Sequence, residues 1–129
     1  MKSTVVSVLL ALAIVAGAAL LSMGGSAEPA AVPGSNVVRE DGVQVVTIRA
    51  KGGYAPRTSV AKAGMPTIIR FETGGTFDCS SAVRIPSMDI TRNLPPSGAT
   101  DIGIGTPAAG TLQGSCGMGM YPFEVVFEK

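Results

Sequence analysis

No histidine occurs anywhere in the 129 residues. That absence removes the Ser-His-Asp and Cys-His nucleophile pairs, the imidazole general base and most zinc chemistry in one step. Cysteine is scarce as well, with two in the chain. Neither closely follows the N-terminal apolar run, so a lipid-modified N-terminus is not expected. Between Lys2 and Glu28 there is no charge at all. From Glu28 onward the charges balance, with nine of the 10 basic residues and all 9 acidic ones. No basic stripe or aromatic platform breaks that neutrality, which argues against a nucleic-acid partner. The carboxylates are scattered, without the dense oxygen-ligand spacing of a calcium loop. "TGGTF" (Thr73–Phe77) is glycine-rich but lacks the lysine and the length of a phosphate-binding loop. An enzyme is hard to build from what remains, and none is expected.

The chain organises into three parts. Thr4 to Leu21 is apolar or small throughout, close to the roughly 20 residues that a membrane-spanning helix needs. A secretory signal core is usually shorter, so the length favours an uncleaved anchor over residues 1–27. "GGSA" before Glu28 offers a small-residue cleavage site for the alternative, secretion after cleavage. With Lys2 before the apolar run and Glu28 after it, the positive-inside rule puts the body outside the cytoplasm. Residues 28–38, with two prolines and small residues, suit an extended linker. Residues 39–129 are left for the folded domain, enough for one core.

Short apolar, β-branched runs separated by glycine and proline define that domain. Strands are expected at Val43–Ala50, Thr58–Ala61, Thr67–Glu72, Ala82–Ile85, Thr100–Ile104, Thr111–Cys116 and Phe123–Glu128. "TGGTFDCSS" between them reads as a loop, and "SMDITRNLPPSG" as irregular because Pro95-Pro96 excludes regular structure. No segment after the anchor shows a helical period. The fold class expected is all-β, an antiparallel Greek-key sandwich or barrel. Tyr54, Phe71 and Phe127 are expected in its core or its turns.

What is present for chemistry is sulfur. "CGMGM" runs from Cys116 to Met120, and two of the four methionines after the anchor fall in it. In an extended segment Cys116, Met118 and Met120 would share one side, and the intervening glycines would let the backbone curl. Cys79 lies upstream in a loop beside a strand able to neighbour Cys116. Thiolate plus thioether is a soft ligand set that selects Cu(I) over zinc, iron, calcium or magnesium. Two cysteines in an exported domain are also commonly a disulfide, and closing a loop of this length would stabilise the fold by about 4 kcal/mol. A disulfide alone leaves the methionines without a role. The two readings combine if the disulfide is an oxidised form of the metal site. Met65 and Met88 are expected to pack in turns or core, although Met88 could lie near the site.

Several stretches together, "GGYAP", "AGMP", Cys79 followed by Pro86, "LPPSG" and "PAAGTLQGSCGMGM", resemble one family. They are similar to the cupredoxin-like domains of bacterial copper resistance, in particular the CupA-like, membrane-anchored Cu(I) chaperones. The resemblance covers Val43 to Lys129 and implies a cupredoxin-like sandwich. Electron-transfer cupredoxins place two histidines, a cysteine and a methionine around copper. Here Cys79 stands where the first histidine is expected, and Met118 lies in the stretch that supplies the second. The resemblance implies Cys79 and Cys116 as a tight thiolate pair. Met118 and Met120 would form or complete a weaker neighbouring site, with room for a second Cu(I) ion. It further implies a copper-exporting P-type ATPase, or another copper-binding protein, as the partner. The rival expectations are an exported, non-catalytic sandwich with a structural Cys79–Cys116 disulfide, and an electron-transfer cupredoxin.

Overall fold

The computed structural model describes residues 35–129, so the segment expected as an anchor and most of that expected as a linker lie outside the described residues. Ten strands form two five-stranded sheets. The first sheet holds β1 (Val37–Glu40), β2 (Val43–Ala50), β5 (Thr67–Thr73) and β8 (Gly98–Gly103) in that order, with β3 (Tyr54–Ala55) also on β2. The second runs β4 (Thr58–Lys62), β10 (Pro122–Glu128), β9 (Gly110–Cys116), β6 (Ala82–Ile85) and β7 (Ile90–Asn93). Among the described residues no α-helix forms, and the helical elements are single 3₁₀ turns at Cys79–Ser81 and Pro86–Met88.

Alternation explains the sheets. In β2 buried and part-exposed residues alternate, placing Val46, Ile48 and Ala50 inside, and β10 does the same with Phe123, Val125 and Phe127. Ile69, Phe71 and Ile102 of the first sheet and Val83, Ile85 and Cys116 of the second join the same buried cluster. Tyr54, Phe71 and Phe123 meet edge to face, with ring centroids 4.8–5.9 Å apart. Each such pair contributes about 1 kcal/mol beyond its buried area. Buried Gln44 ties the two sheets together. Its side chain donates to the carbonyl of Lys62 (3.0 Å) and accepts from the Lys62 N–H (2.9 Å).

The sandwich is mixed rather than purely antiparallel, because β2 pairs with β5, and β4 with β10, in parallel. The chain passes from β2 to the opposite sheet as β4 and returns as β5, so two same-sheet neighbours point the same way. Two further strands depart from expectation. β1 begins inside the stretch expected as linker, and Asp41-Gly42, both at positive φ, closes a two-residue hairpin onto β2. β7 forms within the stretch expected to be irregular, folding back on β6 through the Pro86–Met88 turn and a left-handed Asp89.

Candidate metal centre

The two cysteines meet where the loop after β5 comes beside the end of β9. Cys79 opens the 3₁₀ turn in the loop after β5, and Cys116 is the last residue of β9. β6 links the two positions, since it starts just after the Cys79 turn and pairs Val83 with Cys116. The Cα atoms stand 5.6 Å apart and the sulfurs form a disulfide. Cys116 is fully buried, whereas Cys79 is partly exposed.

The Cys79 loop is held from three directions. Asp78 caps its turn: one carboxylate oxygen accepts from the Ser80 N–H at 2.8 Å and from the Ser80 hydroxyl, and the other accepts from the Gly52 N–H at 2.9 Å. The Ser80 hydroxyl, then the two backbone donors, hold this carboxyl below the usual carboxylate range. Beneath the loop, the phenol of Tyr54 donates to the carbonyl of Ser80 at 3.1 Å. Burial first, then the charge of Asp78, raises the Tyr54 phenol far above its ordinary value, so it stays a donor. From the side, "LPPSG" supplies carbonyls. Pro95 accepts from the Thr73 hydroxyl (2.7 Å) and Pro96 from the Thr76 N–H (2.9 Å). Thr76 itself is buried and donates its hydroxyl to Ala50 (2.6 Å).

The stretch after Cys116 is a tight loop between β9 and β10, not an extended segment. The Gly119 N–H donates to the Cys116 carbonyl at 2.8 Å, and the Cys116 N–H to the Tyr121 carbonyl at 3.0 Å. Gly119 takes φ +72, which an L side chain rarely adopts. The turn reverses the chain, so the expected one-sided row of sulfurs does not form. Cys116 faces the core while Met118 and Met120 are 82% and 63% exposed. Met120 borders a surface depression with Lys51, Arg57 and Tyr121. On the other side, Arg84 donates to the Gly117 carbonyl at 3.4 Å.

The structure thus joins Cys79 to Cys116 and sets Met118 and Met120 on the adjoining loop surface. Met88 goes elsewhere, since it follows the far end of β6 from the Cys79 turn. Among the described residues no three Cys, Asp or Glu side chains cluster as a metal cage. A metal at this end would be held by cysteine and methionine sulfur, a soft set. Sequence reasoning gave no role to Phe77, which lies two residues before Cys79 and is 84% exposed. Tyr54 and Asp78, which position Cys79, carry no local signal either, because their partners are distant in sequence.

The cupredoxin-like domain family matches residues 11–126. No curated protein matches the chain in sequence. Among solved structures, the chain is similar to the Cu(I)-bound metal-binding domain of CopA, the Cu(I)-exporting P-type ATPase of Streptococcus pneumoniae D39. Identity is 22% and the TM-score 0.64, over 72% of this chain and 93% of that domain. A copper-binding protein solved in solution in its apo form is 26% identical, with a TM-score of 0.67, over 74% of this chain and 97% of that one. Auracyanin B shares the fold at 15% identity and a TM-score of 0.51, over 75% of this chain and 97% of its own.

Proposed function

This chain belongs to the cupredoxin-like domain family, and we propose that it binds Cu(I) and hands it on, as a chaperone or sequestering protein in copper resistance. The observation that carries this reading is the meeting of Cys79 and Cys116 beside two exposed methionines in a chain without histidine. In the reduced protein the two thiolates would hold one Cu(I) tightly. Thioethers are neutral and bind more weakly, so Met118 and Met120 would take a second Cu(I) or pass the first one outward. Their exposure supports that role, because a partner's cysteines reach them before the thiolate pair. The partner fitting this chemistry is a copper-exporting P-type ATPase or another Cu(I)-binding protein. The apolar N-terminal run would hold the domain at the membrane as a single-pass anchor.

A second reading has an observation of its own. The disulfide between Cys79 and Cys116 suits an exported, non-catalytic sandwich in which the bridge only stabilises. Anaerobic titration of the reduced full-length protein with Cu(I), against a chromogenic chelator, separates the two. The copper reading expects competition that disappears in the Cys79→Ser, Cys116→Ser variant. Equal competition by that variant, or none by the parent, leaves only the structural role.

A further inference from the structure

Residues 51–53 turn the chain from β2 into β3, and the Lys51 N–H closes the turn by donating to the Gly53 carbonyl at 2.9 Å. One side of this turn holds the Cys79 segment. The Gly52 N–H donates to Asp78 at 2.9 Å, and Tyr54, the first residue of β3, donates its phenol to the Ser80 carbonyl at 3.1 Å. Asp78 and Ser80 are the residues on either side of Cys79.

The other side of the turn meets the segment after Cys116. Gly53 takes φ +120, and a Cβ there would stand 3.6 Å from Cδ1 of Tyr121, so the bare glycine lies against that ring. Tyr121 in turn accepts from the Cys116 N–H at 3.0 Å. Met120 borders the same depression as Gly52, Gly53 and Tyr54. These contacts involve neither sulfur, so opening the bridge does not remove them. The pairing of β6 with β9 also ties the two segments, but through Val83, beyond the Cys79 turn.

We propose that residues 51–54 are the positioning element of the sulfur site, a strap that keeps Cys79 beside Cys116 when the bridge is reduced. One short element thereby places both the Cys79 turn and the Tyr121 side of the methionine loop. Groups held in register react as though at high local concentration, and ordering them beforehand removes a cost from binding. The strap deepens the copper reading, on which Cu(I) then meets a preformed dithiol. It also lets the bridge re-form without a search by the Cys79 loop.

The test uses the full-length, metal-free protein equilibrated with dithiothreitol at about pH 6, below the ordinary thiol pKa of about 8.5. The reductant closes to its cyclic disulfide as the Cys79–Cys116 bridge takes up its two electrons and two protons. Few thiolates exist at that pH, so loss of the Asp78 charge does not itself shift the equilibrium. A contact that only stabilises the fold adds equally to the oxidised and reduced forms and leaves the equilibrium unmoved. A contact that positions the reduced pair shifts it.

Asp78→Asn, at an exposed position, offers one acceptor oxygen where Ser80 and Gly52 need two. Its bridge should become about fivefold easier to reduce. Tyr121→Ala strips the ring from Gly53 and should shift the equilibrium in the same direction. Both act through one strap, so the double variant should shift no further than the larger single one. An unmoved equilibrium in either single variant overturns the strap. Shifts that multiply in the double variant mean two independent contacts and overturn it as well. No copper enters this measurement, so a failed Cu(I) titration leaves it intact, and the converse holds.

Discussion

Cys116 and Met118 are two residues apart, yet one is fully buried and the other 82% exposed. Cys116 ends a strand whose hydrogen bonds and side-chain alternation belong to the core. Met118 sits in a turn closed by Gly119, outside that alternation. The contrast divides the proposed ligands into two kinds. The cysteines are part of what holds the sandwich together, and the methionines are not. A site built this way can alter its outer ligands without disturbing the fold, whereas any change at the sulfur bridge reaches the core.

The sharpest way to break that contrast is at the bridge. Cys79→Ser with Cys116→Ser should lower the stability of the oxidised protein by about 4 kcal/mol, measured by urea unfolding. A loss below about 1 kcal/mol would mean that the bridge lies outside the stabilising framework. Next comes the strand leading into Cys116. A Cβ at Gly114 would collide with the ring of Phe123. Gly114→Ala should therefore cost about 1–3 kcal/mol through overpacking, and an unchanged midpoint would refute so close an approach of β9 to that ring. Tyr54→Phe keeps the aromatic cluster but removes the donor to the Ser80 carbonyl. It should cost about 1–2 kcal/mol and speed amide exchange in the Cys79 turn more than in β5. Uniform exchange across both would deny Tyr54 its hold on the loop. Smallest in stability is Met118→Ala with Met120→Ala, expected within about 0.5 kcal/mol of the parent. In Cu(I) titration the same variant should lose its weaker copper and keep the tighter one. Loss of both would erase the division between inner and outer sulfurs.

Much of the framework was legible in the chain. Val43–Ala50 and Ala82–Ile85 form strands with the expected boundaries, because each combines β-branched residues with flanking turn signals. The missed strands had weaker local marks. Ile90–Asn93 lies just before Pro95-Pro96, and its strand exists only because β6 offers it a partner. Val37–Glu40 follows a proline-rich run, although the Asp41-Gly42 pair after it was a usable hairpin signal. Parallel pairing of β2 with β5 was not readable, since periodicity reports which face is buried and not which strand lies alongside.

For the site, the sequence by itself determined the chemistry on offer. Without histidine, and with Cys79, Cys116, Met118 and Met120, the soft ligands are sulfur, and no packing arrangement changes that. Tertiary structure decided how those sulfurs stand to one another. Long-range pairing of β6 with β9 brings Cys79 to Cys116, a contact that no local propensity encodes. The turn at Gly119 then sends Met118 and Met120 outward, where an extended strand would have aligned them with Cys116. Residue identity settles what a side chain can bind, and only the folded backbone settles which side chains can bind together.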